Sequence, residues 1–174
     1  LHKPRWQIIG KENIKSNGWT IATSNHQSFA DIFLLQDITN MKMPMLKFFM
    51  KYVLIYVPVI GLSWWALDMP FLKRYTKKQL EKNPKLAGKD IREMRRALKH
   101  YSLYPVTVFS LAEGTRFTSR KHQNQNSPFE NLLKPKEGGL ATALSLVNKI
   151  DALIDFTIQF DSKKRSFWDY LCGR

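Results

Sequence analysis

Residues 18–35, GWTIATSNHQSFADIFLL, decide the fold class. Residues 18–23 are short, apolar and β-branched, the composition of a strand. Residues 28–35 predict a helix, with Ser28 as its N-cap and Phe29, Ile32, Phe33 and Leu35 as the apolar group behind it. A strand that runs into a helix delivers Asn25 and His26 to a strand end, where α/β folds carry binding and catalytic side chains. His26 and Asp31 then flank the first helical turn, and Asp31 can fold back toward the imidazole.

Working outward, residues 5–9 read as another short strand and residues 69–72 as a brief one leading into Lys73 and Arg74. Residues 84–100 follow a helical period, with Leu86, Ile91, Met94 and Leu98 on one side and basic residues around them. Residues 105–111 (PVTVFSL) form a buried strand with Glu113 and Gly114 at its end. Residues 118–128 are polar and read as a loop. Gly138 and Gly139 open a helix through Val147, and residues 152–160 form a further strand. Strands alternating with helices argue one α/β domain over residues 1–174, a mostly parallel sheet flanked by helices. Leu1 is not an initiator Met and the chain stops just after an aromatic-rich stretch, so both ends are expected to be cut from a longer protein.

Charge is concentrated. Net charge is +14, and residues 73–99 hold eleven basic residues against three acidic ones. Such a face attracts a polyanion, either nucleic acid or an anionic membrane, unless it is only a solvated helix surface. An aromatic content of 13% with five Trp favours the membrane, because Trp and Tyr partition to the headgroup layer. Between Lys51 and Asp68 lie sixteen uncharged residues, YVLIYVPVIGLSWWAL, interrupted by Pro58 and Gly61. That is too short and too broken for a spanning helix. It is either a buried helix pair or a surface that dips into a membrane, and the Trp64–Trp65 pair beside the basic window favours the second. Trp64, Trp65 and the cations of residues 73–99 are expected to form one face that docks on anionic bilayers. Cys172 is the single cysteine, which excludes an internal disulfide and a multi-cysteine zinc site. His2, His26, His100 and His122 show no metal-ligand spacing.

The chemistry rests on two short motifs, NHQSFAD and EGTRFT. A carboxylate beside His26 can fix the imidazole tautomer and stabilise the imidazolium formed when the ring accepts a proton. The chain has no GxSxG elbow and no Cys near a second His, so no protein nucleophile is evident. A His-Asp pair without one suits deprotonation of a hydroxyl brought by the substrate, which attacks an activated acyl carbon directly. Asn25 and Ser28 have adequate explanations as strand-end and cap residues. Arg74 and Arg116 each flank an apolar strand and can point into a cleft, where guanidinium binds phosphate through paired hydrogen bonds. Glu113 would repel phosphate; it can accept from a substrate hydroxyl or hold Arg74 or Arg116. Gly114 permits positive φ and leaves the Thr115 N–H to donate to an anion.

Together these motifs resemble the lysophosphatidic acid acyltransferase family of glycerolipid acyltransferases. Asn25, His26, Ser28 and Asp31 match its His-x4-Asp motif. Gly61, Phe71, Leu72 and Arg74 are similar to its second motif. Glu113, Gly114, Thr115 and Arg116 match its Glu-Gly-Thr-Arg motif, with Ala112 in place of the usual proline. The fourth motif is residues 152–158, ALIDFTI, which lack the customary proline. EGTRFT, then LLKPKEGGLATAL and an Asp-x-Thr strand, look nearest to bacterial inner-membrane acyltransferases related to lysocardiolipin acyltransferase.

The resemblance implies a glycerol-phosphate acyltransferase-like fold and acyl transfer from acyl-CoA or acyl-carrier protein to the free hydroxyl of a lysophospholipid. His26 is then general base, Asp31 its orienter, and Arg74, Glu113, Gly114, Thr115 and Arg116 the acceptor site. No cofactor beyond the acyl donor is implied. The implied location is the cytoplasmic face of a membrane, with the family's N-terminal membrane helices and a final strand lying outside this chain. Nucleic acid is not an implied partner. The competing reading is an inactive basic membrane-binding module, which leaves the His-x4-Asp motif unexplained.

Overall fold

A computed structural model of the chain describes residues 7–14, 17–73, 75–101, 103–147 and 149–160. Arg74, Cys172 and the FWDYLCGR segment lie outside them.

In chain order the elements are β1 (Thr20–Ser24), α1 (Asp31–Thr39), β2 (Leu46–Phe48), β3 (Met50–Lys51), α2 (Ile60–Ala66), β4 (Phe71–Leu72), α3 (Lys77–Lys82), α4 (Lys89–Tyr101), β5 (Thr107–Leu111), α5 (Ser119–Gln125), α6 (Glu137–Leu146) and β6 (Ala152–Phe156). The main sheet has the order β2-β5-β1-β6, and β3 pairs with β4 separately. Among the described residues every pairing is parallel. This is the α/β, mostly parallel architecture expected from the alternation of strands and helices.

Strand alternation divides the core. Ile21 of β1 and Val108 of β5 face one side, where they meet Met94, Leu98 and Tyr101 of α4 and Ala143 of α6. Ala22 and Phe109, one residue later on each strand, face the other side and meet Ile32, Leu34 and Leu35 of α1 with Phe48 and Trp64. Burial on both faces explains why β1 and the start of β5 read as continuous apolar runs. The connection after β1 packs α1 on one face of the sheet, and the connection after β5 packs α6 on the other. Neighbouring parallel strands whose connections part in this way open a crevice at their carboxyl ends. Residues 25–26 and 112–116 lie there.

Several boundaries differ from the sequence reading. The helix after His26 begins at Asp31, not Ser28, because the Asp31 carboxylate accepts the Gln27 and Ser28 N–H groups and holds that segment in a turn. Ser28 is therefore not the N-cap; its Oγ accepts from the Ala30 N–H at 3.1 Å inside the turn. Of the strand expected over 5–9, residues 5 and 6 lie outside the described residues, 7–9 form no strand, and Ile9 is exposed. The helix expected over 84–100 is a 3₁₀ turn at Pro84–Leu86 and then α4, separated by Gly88 at φ +70°. Ile91 consequently faces solvent while Met94, Leu98 and Tyr101 are buried. The polar stretch after Thr118 is helical: Thr118 Oγ1 accepts from the Lys121 N–H and caps α5. Strands β2 and β3 gave no sequence signal, and β6 ends at Phe156.

The uncharged run 52–67 folds as a 3₁₀ turn, Tyr52–Tyr56, against α2. Gly61 makes this possible, since a Cβ there would sit 2.2 Å from the Ile55 carbonyl oxygen. The run is neither a buried pair nor uniformly surface. Trp64 is 8% exposed and packs in the core beside Phe29, whereas Trp65 is 64% exposed. The expectation that both tryptophans share one outer face is thus corrected: successive helical residues point about 100° apart, and only Trp65 points out. Val53, Tyr56, Val59 and Leu62 of the same run are likewise more than half exposed. Lys73 stands over the Tyr52 ring at 5.0 Å, at the edge of this apolar ridge. Among the described residues no helix is long and apolar enough to cross a membrane.

Candidate active site

Parallel register brings the two motifs together. Ser24 of β1 is paired with Leu111 of β5, so His26 and Glu113, each two residues further on, arrive at the same level. Ala112 extends the ladder by one bond, its N–H donating to the Ser24 carbonyl at 3.0 Å. Proline, which has no N–H, would not supply that bond.

His26 is held through its backbone from both sides. Its N–H donates to Glu113 Oε1 at 2.8 Å, and its carbonyl accepts from the Phe117 N–H at 2.8 Å. Its ring Nδ1 lies 3.0 Å from Asp31 Oδ2. Asp31 is fully buried, and the same Oδ2 accepts the N–H groups of Gln27 at 2.8 Å and Ser28 at 2.9 Å. An ionised carboxylate only accepts, so Nδ1 carries the proton and Nε2 is left as the basic nitrogen. His26 lines a cavity of about 760 Å3, within the range of small-ligand sites.

One part of that cavity is apolar, walled by Phe48, Phe49, Met50, Leu72, Met94 and Phe109. Its lining draws on the clusters of both sheet faces. Its polar part is lined by Gly114, Thr115, Arg116, Lys121 and Lys136. Gly114 adopts φ +63°, a conformation that favours glycine, and a Cβ there would meet the Lys136 side chain at 2.9 Å. Such a space, with an imidazole base, an apolar wall and a cationic rim, can hold an amphiphilic anion with a hydroxyl near Nε2.

The structure brings together His26, Asp31, Gly114, Thr115 and Arg116. Arg74 lies outside the described residues. Glu113 is 2% exposed and does not line the cavity; its second oxygen, Oε2, accepts from the Leu133 N–H at 2.9 Å. It lies beneath the site as a strut between three chain segments. Asn25 clamps a fourth: its amide donates to the Ile158 carbonyl and accepts from the Ile158 N–H, both at 2.8 Å, as a strand backbone would. Lys121 and Lys136 were missed by the sequence reading. Lys121 was hidden by the unread helix α5, and a Thr-x-x-Lys cap spacing was its only local signal.

A sequence model of the Acyltransferase family matches residues 5–158. The 1-acyl-sn-glycerol-3-phosphate acyltransferase delta of Bos taurus is 32% identical over 125 residues, covering 66% of this chain and 30% of that protein. The corresponding gamma protein of Homo sapiens is 31% identical over 129 residues, 68% of this chain and 31% of its own length. The chain therefore spans about three-tenths of the length of these curated relatives. No solved structure matches it. With the family pattern running through the strand ends that carry His26 and Glu113, the chain belongs to the Acyltransferase family.

Proposed function

We propose that this protein transfers a fatty acyl group from acyl-CoA or acyl-carrier protein to the free hydroxyl of a lysophosphatidic acid-like acceptor. The observation that carries the reading is the His26 Nδ1 to Asp31 Oδ2 contact at 3.0 Å, with the ring lining an amphiphilic cavity. The acceptor hydroxyl gives its proton to Nε2 while its oxygen attacks the thioester carbonyl. The imidazolium, stabilised by Asp31, returns that proton to the departing thiolate. Acyl carbon passes directly from sulfur to the acceptor oxygen, with no covalent enzyme intermediate. Arg74, Arg116 and the Gly114–Thr115 turn hold the acceptor phosphate; Glu113 contributes by holding His26. The relatives' names, which specify acylglycerol phosphate as their substrate, support the acceptor class.

The protein works at a membrane surface in this reading, on the cytoplasmic face, without nucleic acid as a partner. The exposed ridge of Val53, Tyr56, Val59, Leu62 and Trp65 supports it, because the adjoining segment, Met50, Lys51 and Leu54, lines the same cavity as His26. A lipid leaving the bilayer there enters the site directly. Full-length protein incubated with labelled acyl-CoA and a panel of lysophospholipids, with products read by mass spectrometry, tests the function. Acylated product that disappears in His26→Ala is expected. Product formation that survives His26→Ala at more than a tenth of the wild-type rate would overturn the mechanism.

A further inference from the structure

Arg116 is one of three cations that converge on the same turn. Lys121 reaches it from α5, its ammonium donating to Thr115 Oγ1 at 2.8 Å and to the Arg116 carbonyl at 2.9 Å. Those bonds use two of its three protons. Lys136, just before α6, lines the same cavity beside it. Its backbone N–H donates to the Ala112 carbonyl at 2.8 Å, and its stem lies against Gly114, whose missing Cβ makes the room. The turn is tied to the base at both ends, through Glu113 to the His26 N–H and through Phe117 to the His26 carbonyl. The turn is thus held at a set position relative to the imidazole.

Among the described residues none of the three has a carboxylate partner. Glu113, three residues before Arg116, is buried with its oxygens on the His26 and Leu133 N–H groups. Three like charges around one open cavity repel each other until an anion joins them. A phosphate monoester carries close to two negative charges near neutral pH, a diester one.

We propose that Lys121 and Lys136 are headgroup-selecting residues that join Arg116 in holding a phosphate monoester and in preferring it to a diester. The assignment rests on the acyl-acceptor reading above, because a monoester is also present in coenzyme A as its 3′-phosphate. The acceptor is the source we commit to, since the turn is bonded to the residue that activates the acceptor hydroxyl.

The test titrates full-length protein, in neutral detergent, with lysophosphatidic acid and with lysophosphatidylglycerol of the same acyl chain. Lys121→Met and Lys136→Met keep the aliphatic stems, and circular dichroism confirms folding. Each variant is expected to weaken monoester binding about three- to tenfold and diester binding by less than about twofold. Equal weakening of both heads, or of neither, overturns the proposal. A second arm compares acyl-CoA with acyl-dephospho-CoA in turnover. Variants that raise the KM of acyl-CoA alone, with lysophosphatidic acid binding unchanged, assign the lysines to the donor and also overturn it. Should the wild type bind the monoester through these lysines yet acylate no lysophospholipid, the enzyme reading fails and the anion site stands.

Discussion

Glu113 carries the backbone of His26: its Oε1 accepts the His26 N–H at 2.8 Å from a position 87 residues away in sequence. The bond is a consequence of parallel register, since both residues lie two places beyond the paired Ser24 and Leu111. A motif residue that looks like a ligand contact in the linear chain is thereby turned under the base.

Glu113→Gln tests that placement. An amide offers one accepting oxygen where the carboxylate serves two N–H donors, so either His26 or Leu133 loses its partner. A buried donor left unpaired costs about 1–3 kcal/mol, and the melting temperature should fall by roughly 2–12 °C. Turnover should fall with it. A variant with wild-type melting behaviour and only a raised acceptor KM would return Glu113 to the ligand.

Asp31→Asn separates charge from packing. Asp31 Oδ1 has no hydrogen-bond partner among the described residues, so an amide nitrogen fits in its place while the remaining oxygen keeps the three contacts. The fold is expected to survive with a loss of about 1–3 kcal/mol for the unpaired amide. The imidazolium loses its counter-charge, and kcat should drop by about 10²–10⁴. Retention of kcat within about threefold would show that Asp31 only shapes the turn.

Arg116→Ala and Arg74→Ala should raise the acceptor KM more than the donor KM, each by about ten- to a hundredfold if the phosphate contact is desolvated. Steady-state kinetics with both substrates varied reads this. Equal effects on the two substrates would reassign the guanidinium to the donor or to folding.

The two adjacent tryptophans should behave as opposites. Trp65→Ala is expected to weaken co-sedimentation with anionic vesicles at every salt concentration, since it removes exposed apolar area from the ridge. Added salt should weaken the remainder, because each cation near the surface contributes about 1 kcal/mol that is screened. Trp64→Ala should instead cost about 3–5 kcal/mol of stability, as a large-to-small change in the core. Vesicle binding untouched by Trp65→Ala and by salt would remove the ridge from membrane docking.

The sequence alone determined whatever depends on local pattern. Residues 18–23 and 105–111 are β-branched and apolar enough to be strands in isolation, and His26 with Asp31 lies within one turn, so their pairing needs no distant partner. Tertiary structure decided what depends on register and on which face a residue presents. Leu46–Phe48 is a strand because β5 offers it an edge, not because of its composition. Ser28 yields the cap position because a carboxylate three residues on takes the turn's N–H groups. Trp64 and Trp65 share a composition and differ only in helical phase, which a run broken by Pro58 and Gly61 does not reveal. Glu113, Asn25, Lys121 and Lys136 acquire their roles from partners on other elements, and contacts across a sheet leave no periodic trace in a single chain.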